Sequence, residues 1–113
     1  MRTSTEKRPW GSFQTLTKEK KSTVKILTLA PKSRFSLQYH KHREEFWLLL
    51  DNPVKITIGK ETRIAKKGST FFIKKRQLHR AKALKKEARI LEISFGKFSE
   101  KDIKRLEDNY GRK

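Results

Sequence analysis

The sequence predicts an all-β domain, an antiparallel barrel or jelly roll, with one short α-helix packed on its outside at the C-terminal end. Val54, Ile56 and Ile58 alternate with Lys55 and Thr57, the period of a strand with one buried face, and Gly59-Lys60 then turns the chain into Thr62–Ala65 as a hairpin. In chain order, further short β-prone runs lie at Trp10–Leu16, Thr23–Leu29, Arg34–Tyr39, Phe46–Leu50, Thr70–Ile73 and Ala88–Phe95. They are punctuated by Pro31, Asn52-Pro53 and Gly68, and many short strands divided by turn residues are the pattern of a sandwich or barrel. At the end, Ser99 and Asp102 have the spacing of a helix-capping pair. Ile103, Leu106 and Tyr110 share one helical face before Gly111, so a helix is expected over about 99–110, after a core of about 8–98.

The chain has 113 residues, which allows one compact domain. It contains no cysteine, so disulfides, thiolate metal sites and cysteine nucleophiles are excluded. The longest apolar run, Phe46–Leu50, is too short to span a membrane, and residues 1–11 lack the apolar segment of a secretory signal. A cytoplasmic location is therefore expected. With 30 Lys and Arg against 12 Asp and Glu, the net charge is +18, and residues 52–86 hold twelve of the basic residues and one acid, Glu61. Such a surface attracts anions. Phosphorylated metabolites, acidic lipid and nucleic acid are the candidate classes, beside a lysine-rich composition with no partner at all.

Chemistry concentrates in Gln38-Tyr39-His40-Lys41-His42-Arg43-Glu44-Glu45. Residues two apart on a strand share a face, so Gln38, His40 and His42 can point one way, while Glu45, Trp47 and Leu49 share a face on the next strand. His79 follows Thr70–Ile73 and can be brought beside this cluster by strand pairing. Two imidazoles, a carboxylate and an amide oxygen would suit a divalent metal. The residues alone equally fit surface histidines and weak exposed pairs of Glu44 or Glu45 with Arg43 or Lys41.

The order of these residues resembles a cupin, specifically the cupin domain of type II phosphomannose isomerases, a domain that follows a mannose-1-phosphate guanylyltransferase domain in the bifunctional enzymes. The resemblance runs from Arg8-Pro9-Trp10-Gly11, through Ser36-Leu37-Gln38-Tyr39-His40-Lys41-His42-Arg43-Glu44-Glu45-Phe46-Trp47, to Glu107-Asp108-Asn109-Tyr110-Gly111-Arg112. It implies Gln38, His40, Glu45 and His79 as metal ligands, with His42 nearby or lining the pocket. The sequence departs from the family where Lys32, Asn52, Lys74 and Arg76 replace the usual Gly or Pro of turns, where Ala83 replaces Asn, and where Phe46 replaces His.

The function so implied is metal-dependent interconversion of mannose 6-phosphate and fructose 6-phosphate through an enediol. Zinc is the first expectation, and manganese, iron, cobalt or nickel suit the same ligands. Arg43 and Arg112 are implied to bind or orient the substrate, with Arg34 a further phosphate candidate. Arg43 also stands with Glu44 and His42 among the catalytic candidates; Glu44, His42 or a bound water could be the base. A homodimer is the expected assembly, with the N-terminal strand contributing. The alternatives are a cupin that binds or modifies a sugar or nucleotide sugar without isomerising it, and a basic β-module binding nucleic acid nonspecifically through phosphate.

Overall fold

The computed structural model describes residues 4–17, 22–96, 99 and 101–107. Among them the chain forms eleven strands: β1 (Ser4–Arg8), β2 (Gly11–Thr17), β3 (Ser22–Leu29), β4 (Leu37–Tyr39), β5 (Arg43–Leu49), β6 (Val54–Ile58), β7 (Glu61–Ala65), β8 (Thr70–Ile73), β9 (His79–Ala83), β10 (Ala88–Gly96) and β11 (Lys104–Glu107). They make two sheets, β1-β2-β3-β10-β5-β8 and β11-β4-β9-β6-β7, in which every neighbouring pair is antiparallel. The expected hairpin is β6–β7, with Ile58 opposite Glu61 across Gly59-Lys60.

The inward faces of the two sheets meet in one core that includes Phe13, Leu27, Leu29, Phe35, Trp47, Leu49, Val54, Ile56, Ile73, Ala81 and Ile90. Removal of this apolar surface from water is the main driving force for closing the two sheets on each other. Along the central strands, the buried face changes character from one end to the other. Leu29 and Leu27 give way to Lys25 and Thr23 on β3, Leu49 and Trp47 to Glu45 and Arg43 on β5, and Ala88 and Ile90 to Glu92 and Ser94 on β10. The registers align these changes, because Ile90 lies opposite Leu27 and Leu49, Glu92 opposite Lys25 and Trp47, and Ser94 opposite Thr23 and Glu45. One half of the interior is therefore apolar, and the other half is polar and charged.

The expected C-terminal helix is not formed among the described residues. Residues 104–107 instead pair with β4, Lys104 opposite Tyr39 and Arg105 opposite Gln38, with a bulge between Arg105 and Glu107. The Ser99–Asp102 spacing makes a turn, in which the Asp102 N–H donates to the Ser99 carbonyl at 3.1 Å. The Asp102 carboxylate accepts from the N–H groups of Lys41 and His42 at 2.8 and 2.9 Å, holding the segment against the end of β4. Two apolar residues on one helical face, Ile103 and Leu106, offer too little burial to outweigh the unpaired backbone of a sheet edge. Leu106 is accordingly left exposed. Tyr110 and Gly111 lie outside the described residues.

Two of the replaced turn residues carry a conformational cost. Lys32 and Arg76 are left-handed, with φ of 62° and 65°, where a side chain is disfavoured. Both turns are pinned by backbone bonds, Lys32 N–H to the Leu84 carbonyl at 2.7 Å and Arg76 N–H to the His40 carbonyl at 2.6 Å. Gly11 meets a different constraint, because a Cβ there would sit 2.0 Å from the Thr28 carbonyl oxygen of the paired strand. Substitutions at the two kinds of position should move stability in opposite directions. Lys32→Gly should raise the unfolding free energy measured in urea by about 0.5–1 kcal/mol once the entropy of the unfolded glycine is deducted. Gly11→Ala should lower it by about 2–3 kcal/mol, since backbone must move.

Candidate metal centre

Three elements deliver the polar cluster. The last residue of β4 is followed by His40, β5 carries Glu45, and β9 begins at His79, which lies opposite Gln38 across the β4–β9 pair. His40, Glu45 and His79 are all buried, and one potential ligand atom from each lies within 4.8 Å of the others. The His40 and His79 ring centroids are 5.1 Å apart, and Trp47 packs edge-on against His79 at 5.5 Å.

Each imidazole is held from behind by a backbone carbonyl. His40 Nδ1 bonds the Asp102 carbonyl at 2.5 Å and His79 Nδ1 bonds the Gln77 carbonyl at 2.9 Å. A carbonyl only accepts, so Nδ1 carries the proton in both rings and Nε2 is the atom turned toward Glu45. His79 Nε2 lies 3.3 Å from Glu45 Oε1, and His40 Nε2 lies 3.5 Å from Oε2. Neither Glu45 Oε1 nor His79 Nε2 makes a hydrogen bond, so two buried ligand atoms face each other unused. Carbonyl-pinned imidazoles with their second nitrogens converging on a carboxylate fit a divalent cation.

Arg43 closes the other side. Its Nε donates to Glu45 Oε2 at 3.2 Å, its Nη2 lies 3.2 Å from His40 Nε2, and its Nη1 donates to the Ser99 carbonyl at 3.2 Å. Burial pushes the His40 imidazole down to about 4, with Glu45 opposing and Arg43 and His79 adding to the shift, so the ring is neutral at neutral pH. Burial pushes Glu45 up, but His79, His40 and Arg43 together outweigh it and hold the carboxyl at about 2. For His79, burial opposes protonation and the Glu45 carboxylate overcomes it, raising the imidazole above its ordinary value.

The other expected site residues are dispersed. Gln38 lines the same cavity as His40, Arg43 and Glu45, and its Oε1 accepts from Ser36 Oγ at 3.1 Å. His42 is exposed and lines an outer groove with Lys41, Ser99 and Asp102, so the structure does not bring it to the cluster. Glu44 has the opposite parity to Glu45 on β5 and sits half-buried opposite Phe95, on the outer side of the sheet. Arg34 forms an isolated bridge with Lys82 and is absent from the cavity lining. Arg112 lies outside the described residues.

Sequence reasoning missed Arg8, Lys25, Glu92 and Arg105, which also line the cavity. Two of them carried a signal. Lys25 has the parity of Leu27 and Leu29, and Glu92 that of Ile90, so each is a charge on an inward face. Arg8 and Arg105 sit on the polar strands β1 and β11, where alternation says nothing about facing.

These features invite comparison with known proteins. The family model described as "Mannose-6-phosphate isomerase C-terminal" matches residues 2–108. The alginate biosynthesis protein AlgA of Pseudomonas aeruginosa is 36% identical over 107 residues, which are 93% of this chain and 22% of that protein. A mannose-1-phosphate guanylyltransferase, RfbM of Salmonella typhimurium, is 31% identical over 109 residues, 92% of this chain and 22% of its own length. The chain thus spans about a fifth of the length of these relatives. In fold, it is similar to the cupin domain of Schizosaccharomyces pombe Cnp3, with a TM-score of 0.71 at 17% identity over 76% of this chain and 64% of that one.

The coupling of His79 to Glu45 is directly testable without metal. In metal-free protein, Glu45→Gln removes the charge that raises His79, and the ring, still buried, should titrate lower than in the wild type. NMR of the His79 Cε1–H resonance reads the midpoint; an unmoved midpoint would show that Glu45 does not hold the proton there.

Proposed function

Because the chain belongs to the family of mannose-6-phosphate isomerase C-terminal domains, we propose that it is a metal-dependent aldose–ketose isomerase interconverting mannose 6-phosphate and fructose 6-phosphate. The observation that carries this reading is the pair of carbonyl-pinned imidazoles, His40 and His79, converging on Glu45 with Oε1 and His79 Nε2 unbonded. In the proposal His40, Glu45 and His79 hold one divalent cation, zinc first among the candidates, and Gln38 contributes its amide oxygen. A cation held there supplies Lewis acidity toward the carbonyl oxygen of an open-chain sugar.

The protein's own residues do the rest. The charged lining consists of Arg8, Lys25, Arg43 and Arg105 against Glu45 and Glu92, an excess of positive charge that favours a phosphorylated substrate over a neutral sugar. Arg43 bridges His40 and Glu45, so its guanidinium is poised to exchange those partners for an oxygen of an incoming anionic ligand. Arg8 and Arg105 lie on separate sheets and flank the cavity as phosphate candidates. Phe35 and Leu27 on its wall keep the reacting carbons away from bulk water. The proposal also takes the protein as a cytoplasmic homodimer, with the exposed edge strand β1 supplying part of the contact.

A second reading has support in the relative named a mannose-1-phosphate guanylyltransferase, of which the matched region is 22% of the length. In that case the cavity binds or modifies a sugar or nucleotide sugar without isomerising it.

One experiment separates the two. Purified protein is stripped with a chelator, reloaded with zinc or manganese, and given mannose 6-phosphate while the sugar pool is followed by NMR. Turnover should disappear on stripping, return on reloading, and be absent from a His40→Ala, His79→Ala double variant; activity that survives in that variant would sink the metal-centred reading. Metal bound stoichiometrically with no turnover, together with binding of a nucleotide sugar, would favour the second.

A further inference from the structure

Isomerisation requires a group that takes a proton from one carbon and returns it to the next, and none of the residues placed at the cluster is suited to that task. The Glu45 carboxylate accepts from Arg43 and lies between the two imidazoles, where the proposal has it hold the cation. Glu44 faces the outer side of its sheet, and His42 lines an outer groove. A second buried carboxylate stands in the same cavity. Glu92, on β10, is only 6% exposed and lines the wall shared by Gln38, His40, Arg43 and Glu45. It is clamped laterally by its two neighbouring strands. Trp47 Nε1 on β5 donates to its Oε2 at 3.1 Å, and Lys25 on β3 lies opposite it in register. Lys25 is itself 5% exposed, and its ammonium rests over the Phe13 ring at 4.3 Å.

A purely structural account explains this pair poorly. Burying a carboxylate and an ammonium side by side costs more desolvation than their attraction returns unless the geometry is very favourable, and two apolar residues would complete the sheet at less cost. The cost becomes intelligible if the carboxylate works. We propose that Glu92 is the catalytic base and acid of this cavity, moving the substrate proton between C2 and C1, and that Lys25 is the positioning residue that fixes its charge. The proposal rests on the isomerase reading above.

The step balances without any co-reactant. The Glu92 carboxylate takes the proton from C2 of the open-chain aldose, the C2–H electron pair becomes the C1–C2 double bond, and the aldehyde π electrons move onto O1. The proton on O2 passes to O1, the O2 electrons form the new C2 carbonyl, and the double-bond pair takes the proton back from the Glu92 carboxylic acid at C1. One C–H bond is broken and one formed, and the base ends as it began.

The groups around Glu92 set its proton affinity in the right range. Burial raises its carboxyl first and the Glu45 charge adds to that, while Lys25, Arg43 and the Trp47 N–H pull back, leaving it at about 7. Arg8 and Arg105 line the same cavity, and among the described residues Glu45 is the other carboxylate that does so. A base that titrates near the working pH both accepts and returns a proton efficiently.

The test uses the metal-loaded chain in deuterated buffer with mannose 6-phosphate, following turnover and deuterium at C1 of the product by NMR. Glu92→Gln keeps the shape and an acceptor for Trp47, so fold and metal content should hold. Turnover and exchange of the carbon-bound proton should fall by about a hundredfold or more, while binding of glucitol 6-phosphate, which cannot isomerise, stays at the wild-type level. Glu92→Asp, a shorter base, should recover part of the rate. In metal-free protein the Glu92 carboxyl 13C resonance should titrate well above an ordinary carboxylate, and higher still in Lys25→Met. A Glu92→Gln protein within about tenfold of wild type, a loss of glucitol 6-phosphate binding in parallel with turnover, or an ordinary carboxyl titration would each overturn the assignment while leaving the isomerase reading standing. A wild-type protein that binds metal yet turns over neither hexose phosphate overturns that reading, and this one with it.

Discussion

Glu45 is 1% exposed, and a carboxylate that far from water is stable only where cations and donors replace its hydration. In this protein Arg43, on β5 two residues before the carboxylate and on the same face, donates to it; His79 at the start of β9 faces it with a proton affinity that the carboxylate raises, and the neutral ring of His40 beyond β4 completes the enclosure. These partners are constrained in turn. The rings are set by the carbonyls of Asp102 and Gln77, and the Arg43 guanidinium reaches the Ser99 carbonyl. The buried charge thus fixes the relative placement of both sheets and of the segment leading to β11. Breaking one partner would leave the others as uncompensated charges, which is why such clusters behave as units.

That arrangement is compatible with a stable barrel because the polar residues are confined to one half of the interior. The matching registers of β3, β10 and β5 put Ile90 with Leu27 and Leu49, and Glu92 with Lys25 and Trp47. Trp47 stands at the boundary, packing on Phe35 with one edge while its Nε1 serves Glu92. A one-residue slip in either pairing would turn charges outward and aliphatic residues into solvent, so the register that completes the core also assembles the site. The basic stretch at residues 52–86, by contrast, supplies none of the cations in the cavity; those come from Arg8, Lys25, Arg43 and Arg105. Most of the net charge therefore belongs to the outer surface.

The strands that alternate were legible in the sequence: Val54–Ile58, Thr70–Ile73 and Ala88–Phe95 correspond closely to β6, β8 and β10. Two strands without alternation were not, whereas the turn at Gly59-Lys60 gave away β7 although four of its five residues are exposed. Ser-Thr-Glu-Lys-Arg in β1 lies exposed at a sheet edge, and β9 buries His79, Arg80 and Ala81 in succession, so neither has a two-residue period to read. Ile103 and Leu106 suggested a helix because their spacing suits one, but spacing does not register the open edge of β4. At the site, the side chains were identifiable by type and order, and Glu45 sharing a face with Trp47 followed from parity. The backbone carbonyls that set both imidazoles left no trace in the sequence, because every residue has one. Lys25 and Glu92 were visible as charges at inward parity, a conflict between residue type and position that marks function more often than error.

The contact between His40 and the Asp102 carbonyl joins positions 62 residues apart, and Arg43 meets Ser99 across 56. During synthesis the residues around His40 emerge long before the segment that orients them. Until residues 99–102 follow, His40 lacks its acceptor and the N–H groups of Lys41 and His42 lack their carboxylate. The search for so distant a partner is slow relative to hairpin formation. The β3–β10 pair closes over a similar span, Leu29 with Ala88 and Ser22 with Phe95, so the central sheet waits for nearly the same stretch of sequence as the cluster does. The enclosure of His40, Glu45 and His79 and the sheet behind it therefore depend on the same late segment, residues 88–102.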